Sequence, residues 1–298
     1  MLEQLRKLVG EDHVWTDEPM KNHTTFRAGG CADYLVEPES EEEVRSVIRL
    51  CQQEQIPYYI VGNGSNLLVS DEGYRGVILH IYKNMSAFEI KENYLKAQAG
   101  ALLVRVAKAA AKEGLSGLEF ASGIPGTVGG AMVMNAGAYG GEMKDVVRKV
   151  RVLLPDGTIR EHTGEEMNFG YRKSRVMEEQ GIVLGAEMEL TPDDPEVIAS
   201  RMEELKNKRV TKQPLEYASA GSTFKRPEGY FAGKLIEEAG LRGFCVGDAQ
   251  VSEKHCGFVI NRGNATATEI MELIREVQKR VYEHSGVHLE TEVKLLGF

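Results

Sequence analysis

The sequence predicts a soluble α+β protein in two parts, a strand-rich one up to about residue 195 and a smaller one after it. Three observations carry this. Of 298 residues, 42% are hydrophobic and 27% charged, the balance of a globular chain with enough apolar content for buried cores. Strand-like segments, four of them paired into two hairpins, are interspersed with amphipathic helices. Finally, TPDDPEVIASRMEELKNKRVTKQP (191–214), a polar helix bracketed by three prolines, separates two styles of sequence.

MLEQLRKLVGEDHVW (1–15) reads as a short amphipathic helix and lacks the apolar core and cleavage site of a signal peptide. SEEEVRSVIRLCQQEQ opens with a capping box, Ser40 to Glu43, and carries the stripe Val44, Val47, Ile48 and Cys51, so a helix follows Ser40 and ends before Pro57. YYIVG (58–62) is a short buried strand, NGSN a tight loop, and LLVS and GVILHI are further strands. AFEIKENYLKAQAG turns as a hairpin through Lys91, Glu92 and Asn93. ALLVRVAKAAAKEG is a helix that Gly114 stops by taking the left-handed conformation. VRKVRVLLPDGTIREHT forms a second hairpin at Pro155, Asp156 and Gly157. GIVLGAEMEL (181–190) is a strand. Beyond the proline-bracketed segment come a short helix in YFAGKLIEEAG and a long one in ATATEIMELIREVQKRVYEHSG. Ile270, Leu273, Ile274, Val277 and Val281 line one face of the long helix. LETEVKLLGF closes the chain as a strand.

The formal net charge of −9 argues against a nucleic-acid binder, while leaving room for a local basic pocket that takes an anionic small molecule. No apolar run is long enough to span a bilayer. Cys31, Cys51, Cys245 and Cys256 form no C-x-x-C pair and read as reduced thiols, with Cys256 a small buried hydrophobe. Seven histidines occur without H-E-x-x-H or another ligand spacing, so no metal is expected.

Two glycine-rich segments stand out. GNGSNLL follows a strand directly, where a phosphate-binding turn would lie, but Leu67 occupies the third glycine position of a dinucleotide fingerprint. No G-x-x-x-x-G-K-[ST] occurs either. Asn63, Gly64, Ser65 and Asn66 offer either an anion nest of successive N–H groups or a plain tight turn. SGIPGTVGGAMVMNAGAYGG (122–141) has seven glycines and almost no charge. Bare backbone recurs at Gly123, Gly126, Gly129 and Gly130, and Asn135, Ala136, Gly137 and Ala138 continue the small residues. Close approach of a large, flat cofactor with a pyrophosphate, or tight packing of loop on sheet, would each need such a stretch.

NHTTFRAGG (22–30), VGNGSNLLV (61–69), GLEFASGIPGTVGGAMVMNAGAYG (117–140), FGYRKSRV, AGSTFKRP, AGKLIEEAGLRG and LETEV occur in that order over nearly the whole chain. Together they resemble the UDP-N-acetylenolpyruvoylglucosamine reductase family. The resemblance implies an FAD-binding domain of the vanillyl-alcohol-oxidase type (1–195, in two subdomains split near residue 82). A smaller α+β substrate-binding domain (196–298) follows. It implies NADPH-dependent reduction of UDP-N-acetylglucosamine enolpyruvate to UDP-N-acetylmuramate for peptidoglycan. It also explains the missing Rossmann fingerprint.

By the same resemblance, Asn63, Gly64, Ser65 and Asn66 lie along the phosphate and ribityl region of FAD. Ser122, Gly123, Gly126, Thr127 and Gly130 approach its pyrophosphate and ring system, and the backbone of Ile182 meets the adenine end. Arg172 matches the cation facing the substrate carboxylate, Ser222 the general acid, and Glu292 a second group at the reacting carbon. From the residues alone these three read as a surface basic cluster, a turn-capping serine and a solvated strand face. Tyr171, Lys225, Arg226, Lys234, Gln250 and Asn261 are the substrate-contact candidates; at 226 some family members carry Asn. The interval before Ser219 is too short for the tyrosine loop and extra βαββ unit of one branch, so the chain resembles the shorter branch, with Tyr230 or residues 225–234 as a substitute cover. NADPH shares the substrate's site in turn, because no separate dinucleotide fold is left over. The expected protein is a cytoplasmic monomer acting on a UDP-sugar without nucleic acid, membrane insertion or metal. The alternatives are an FAD-dependent alcohol or lactone oxidase of the same superfamily and a non-catalytic nucleotide-binding module.

Overall fold

A computed structural model describes all 298 residues. Helix α1 (Leu2–Val9) leads into strands β1 (Val14–Pro19) and β2 (Cys31–Val36), helix α2 (Glu41–Gln53), and strands β3 (Tyr58–Val61), β4 (Leu67–Val69) and β5 (Tyr74–His80). Strands β6 (Phe88–Lys91) and β7 (Tyr94–Gln98), helix α3 (Leu103–Lys112), strand β8 (Leu115–Ser116) and helix α4 (Val128–Met134) follow. Then come β9 (Gly137–Ala138), β10 (Gly141–Glu142), β11 (Val147–Leu153), β12 (Ile159–Thr163), α5 (Arg175–Glu178), β13 (Ile182–Glu189) and β14 (Thr191–Pro192). The chain ends with α6 (Pro195–Lys212), α7 (Ala232–Glu238), β15 (Cys245–Val246), β16 (Ala249–Val251), β17 (Val259–Asn261), α8 (Ala267–Ser285) and β18 (Lys294–Leu296). No helix is long and apolar enough to cross a membrane.

Residues divide into two compact units that interleave along the chain. The first comprises Met1–Trp15, Tyr34–Asn63 and Gly76–Arg209, and the second Thr16–Asp33, Gly64–Arg75 and Val210–Phe298. In the first unit an antiparallel sheet runs in the order β12-β11-β13-β7-β6. Its core joins Leu95, Val150, Val152, Leu184 and Met188 of that sheet to Leu103 and Val106 of α3 and to Val44 and Val47 of α2. Both expected hairpins are present, closed at Lys91–Tyr94 and at Leu153–Ile159. A four-stranded sheet, β1-β2-β5-β3, precedes them in sequence, with β3 and β5 parallel.

The second unit is built around α8. Thr266 caps it by accepting from Glu269 N–H while Glu269 accepts from Thr266 N–H, and Gly286 ends it at φ 72°. Ile270, Leu273, Ile274, Val277 and Val281 are fully buried against Phe26, Leu68, Val251 and Val259. Each such side chain contributes roughly 1.5–3 kcal/mol. Polar α6 buries only Ile198.

Three elements differ from expectation. The N-terminal helix stops at Val9 because Gly10 takes φ 88°, and Val14 and Trp15 enter β1. The capping box of α2 is half formed: Ser40 Oγ accepts from Glu43 N–H at 3.2 Å, but the Glu43 carboxylate accepts from Glu39 N–H, one residue upstream. The terminal segment is not one strand, because it changes partners. Thr291 bridges antiparallel to Phe224, whereas Leu295 pairs parallel with Leu68 in β4.

Candidate active site

In the first unit, Gly62 and Asn63 of the first glycine-rich segment meet the second, and the arginine turn meets α4. Asn63 Nδ2 donates to Pro125 O at 2.6 Å, and a Cβ on Gly62 would fall 2.4 Å from Thr127 Oγ1, so the two loops touch and Gly62 must stay bare. Thr127 caps α4 by accepting from Gly130 N–H, leaving Gly130 exposed in its first turn. Ser122 Oγ donates to Glu119 O, and a Cβ on Gly123 would fall 2.7 Å from Arg209 Nη1. Burial depresses the Arg209 guanidinium, against a smaller opposing pull from Tyr139; it stays charged. Nothing in the basic run KNKRVTK distinguishes Arg209 from its neighbours, which is why sequence reading misses it.

The segment Gly170–Lys173 folds on itself, with Gly170 N–H donating to Lys173 O and Lys173 N–H to Gly170 O. Arg172 sits inside this turn at φ 54°, a left-handed conformation that costs a non-glycine residue of order 1 kcal/mol or more. Its guanidinium lies 5.1 Å from the centroid of the exposed Tyr171 ring, a cation–π contact. Its neighbours in the basic cluster pair with acids, Lys173 with Glu178 and Arg175 with Glu179. Two contacts fix the turn to α4. Ser174, fully buried, donates to Val133 O at 2.8 Å, and Asn135 Nδ2 donates to Gly170 O at 3.1 Å.

The second unit holds the other two catalytic candidates. Ser222 follows Gly221, which takes φ 75° with open space where a Cβ would be. The next residue, Thr223, is buried; its Oγ1 accepts from Val259 N–H and its carbonyl accepts from Glu292 N–H at 2.8 Å. Ser222 and Glu292 therefore flank one antiparallel bridge, Phe224–Thr291. Asn66 secures the same strand from the first glycine loop, its Nδ2 donating to Glu292 O at 3.2 Å and its carbonyl accepting from Lys294 N–H. Gly64, at φ 57°, presses against His23 O and accepts from Thr25 N–H. Thr25 Oγ1 donates to Ser219 O at 2.6 Å. The NHTT motif thus ties the glycine loop to the segment leading to Ser222.

The remaining candidates are more scattered. Lys225 pairs with Glu290 at 2.8 Å, Lys234 with Glu238 at 3.6 Å, and Arg226 stacks 4.0 Å over Phe231 while its Nε donates to Tyr230 O. Gln250 Nε2 donates to Gly243 O. Asn261 is buried and spends its amide inside the fold, on Phe26 O and the N–H groups of Gly263 and Ala265. Ile182 is buried at the start of β13. Ser65 lies in the loop between β3 and β4, and Gly126 accepts from Leu103 N–H. A shallow groove of ≈ 470 Å³ on one face of the five-stranded sheet holds none of these residues. Its charges pair with one another, Lys96 with Glu187 and Arg151 with Glu41, as on a solvated surface.

Two features suit a dinucleotide with a dianionic pyrophosphate: the exposed, side-chain-free backbone at Gly130 in the first turn of α4, and a half-buried guanidinium, that of Arg209, against Gly123. The family model for an FAD binding domain matches residues 32–163, which include both loops, and that for the UDP-N-acetylenolpyruvoylglucosamine reductase C-terminal domain matches 213–296. The reductase of Clostridioides difficile (strain 630) is 54% identical over 293 residues, 98% of this chain and 96% of that one. The chain belongs to the UDP-N-acetylenolpyruvoylglucosamine reductase family. The reductase of Syntrophomonas wolfei is 49% identical over all of this chain and 99% of that one. Among solved structures, the reductase of Thermus caldophilus matches with a TM-score of 0.82 at 38% identity, covering 95% of this chain and 98% of that one. 4-Ethylphenol oxidase of Gulosibacter chungangensis, 17% identical with a TM-score of 0.50 over 97% of this chain and 64% of its own, shares the fold. The reductase is thus an FAD-dependent oxidoreductase with a vanillyl-alcohol-oxidase-type FAD domain and a C-terminal substrate-binding domain.

Proposed function

We propose that Arg172, Ser222 and Glu292 carry the chemistry of this reductase. The reaction is the NADPH-dependent reduction of UDP-N-acetylglucosamine enolpyruvate to UDP-N-acetylmuramate in peptidoglycan synthesis. Asn63, Gly64, Ser65 and Asn66 would hold FAD from one loop, Ser122, Gly123, Gly126, Thr127 and Gly130 from the other, with Ile182 at the adenine end. When bound, FAD supplies the ring that carries hydride from NADPH to the enolpyruvyl double bond. The protein's own work is electrostatic and protonic. Hydride at the terminal carbon leaves negative charge on the adjacent carbon, which delocalises into the substrate carboxylate only if that carboxylate is neutralised. Arg172 offers a planar, permanently charged fork for it. Glu292 faces the same reacting carbon, and Ser222 Oγ–H gives the proton that completes the new C–H bond. Tyr171, Lys225, Arg226, Lys234 and Gln250 form the wider substrate site, in which Lys225 and Lys234 exchange their present carboxylate partners for the diphosphate; the buried Asn261, its amide spent on Phe26, Gly263 and Ala265, braces the fold beneath it.

The Arg172 turn carries this reading, since its left-handed tip is anchored on both sides, at Gly170 and at Ser174, which holds a permanent cation in one place. Anaerobic half-reactions test it. NADPH should bleach the flavin, and UDP-N-acetylglucosamine enolpyruvate should restore its colour; a flavin that stays bleached would sink the proposal. We also propose that residues 1–195 serve FAD and 196–298 the UDP-sugar, supported by the separate ranges of the two family matches. The protein further acts as a cytoplasmic monomer. Light scattering should give 33.0 kDa, and a doubled mass would overturn that.

A further inference from the structure

We infer that Asn135 is a positioning residue that aims Arg172, linking the helix that begins at the FAD loop to the cation that meets the substrate. The inference rests on the reading of Arg172 given above.

Helix α4 spans only Val128–Met134, with the second glycine-rich segment at its start and the arginine turn against its end. It starts from the Thr127 cap inside the second glycine-rich segment and ends at Asn135, which takes the left-handed conformation, φ 41° and ψ 58°. Asparagine tolerates that conformation better than most residues, but the backbone alone does not explain its side chain. Asn135 is 1% exposed and every polar atom of its amide is engaged. Nδ2 donates to Glu142 Oε2 and to Gly170 O, and Oδ1 accepts from Lys144 N–H at 3.0 Å. Two acceptors on the nitrogen side and one donor on the oxygen side fix which way the amide points.

Gly170 is the first residue of the turn whose tip carries Arg172, and it is held in turn by Lys173. Ser174, just past the turn, donates to Val133 O. The last residues of α4 and its cap therefore grip the turn on both sides, Asn135 before Tyr171 and Val133 after Lys173. A two-residue tip with both ends clamped has little freedom to swing. Left unclamped, Arg172 would relax from φ 54° toward more populated conformations and its guanidinium would move with it. Glu142 and Lys144 complete the anchorage by pairing with each other, so Asn135 itself is held from the β10 side.

The test separates aiming from folding. Asn135→Gly keeps the left-handed backbone and removes the amide. Asn135→Asp keeps the shape and the bond from Lys144, but its carboxyl faces Glu142 and Gly170 O and can donate to one of them at most, and only when protonated. The variants should retain full FAD content, wild-type melting within a few degrees, and flavin reduction by NADPH within about 3-fold of wild type. Anaerobic reoxidation by the enolpyruvyl substrate should slow by roughly 10- to 100-fold, with KM for that substrate raised. In an Arg172→Ala background, Asn135→Gly should add little further loss, because its effect passes through the arginine. Loss of FAD, or equal loss in both half-reactions, would make Asn135 merely structural and overturn the inference. So would full additivity with Arg172→Ala. If Arg172→Ala alone leaves substrate-driven reoxidation intact, the assigned role of Arg172 fails instead. If one Asn135 variant does not fold, the other decides by the same criteria.

Discussion

Ser222 shows how little a catalytic candidate need differ from its neighbours. It is an exposed hydroxyl after a left-handed glycine, and the buried, hydrogen-bonded residue beside it is Thr223. Ser222→Ala should leave flavin reduction by NADPH nearly intact while slowing reoxidation by substrate by orders of magnitude, measured by stopped-flow absorbance of the flavin. Equal loss in both steps would assign the residue to binding or folding. Burial pushes the Cys51 thiol up to about 11 and also raises that of Cys256, whereas Cys245 is exposed. Maleimide at neutral pH should label Cys245 in the native protein and reach Cys51 and Cys256 only on unfolding, as read by peptide mass. At this scale the sequence was legible where motifs spanned several residues and opaque where one side chain acts through a fold. KSRV gives no sign that Ser174 is a clamp, and Asn135 reads as one more small residue. The carbonyls they meet, of Val133 and Gly170, are brought near only by tertiary structure.

At the scale of elements, helices with strong stripes and caps were legible, as α2, α3 and α8 illustrate, and so were both hairpins. Periodicity reports burial, and these elements bury one continuous face. It fails where the partner changes midway, as between Thr291 and Leu295, or where one glycine ends a helix early, as at Gly10. Gly62→Ala would drive a methyl into Thr127 Oγ1 and part the two glycine loops, so FAD affinity should fall at least tenfold by equilibrium dialysis while the fold is retained. Unchanged affinity would exclude those loops from the cofactor site. Asp71 accepts from Ala267 N–H, Thr268 N–H and Thr268 Oγ1 at the start of α8. Desolvation pushes its carboxyl up, but the bonds from Thr268 and Ala267 outweigh it and hold the group below its usual 3.8. A carboxyl depressed in the folded state stabilises above its unfolded pKa and loses that contribution as pH falls through the folded value. Asp71→Ala should therefore cost about 1 kcal/mol in urea melts at pH 7 and 5. The gap should narrow only below about pH 3.8; one that closes already by pH 6 would contradict the assignment.

At the scale of the whole molecule, a cofactor held by the native fold alone must stabilise that fold. Free FAD at a hundred times its dissociation constant adds about 2.7 kcal/mol. The FAD-stripped protein should therefore melt roughly 5–10 °C higher when FAD is restored and be unmoved by adenosine at the same concentration. No shift would count against FAD as the resident cofactor. The order of motifs made the family and its two-part plan legible, whereas the interleaving of the compact units was not, because nothing local marks residues 16–33 and 64–75 as companions of the C-terminal third. That interleaving has a consequence for how the protein is made. A ribosome releases about 5–20 residues each second, so the segment Thr16–Asp33 emerges long before Val210–Phe298 exists. For on the order of ten seconds or more, Phe26 and Leu68 have none of the α8 side chains they are buried with in the finished fold. The nascent chain must keep those surfaces from sticking elsewhere until its last helix arrives, and a chain cut short before α8 would leave them bare for chaperones and proteases to find.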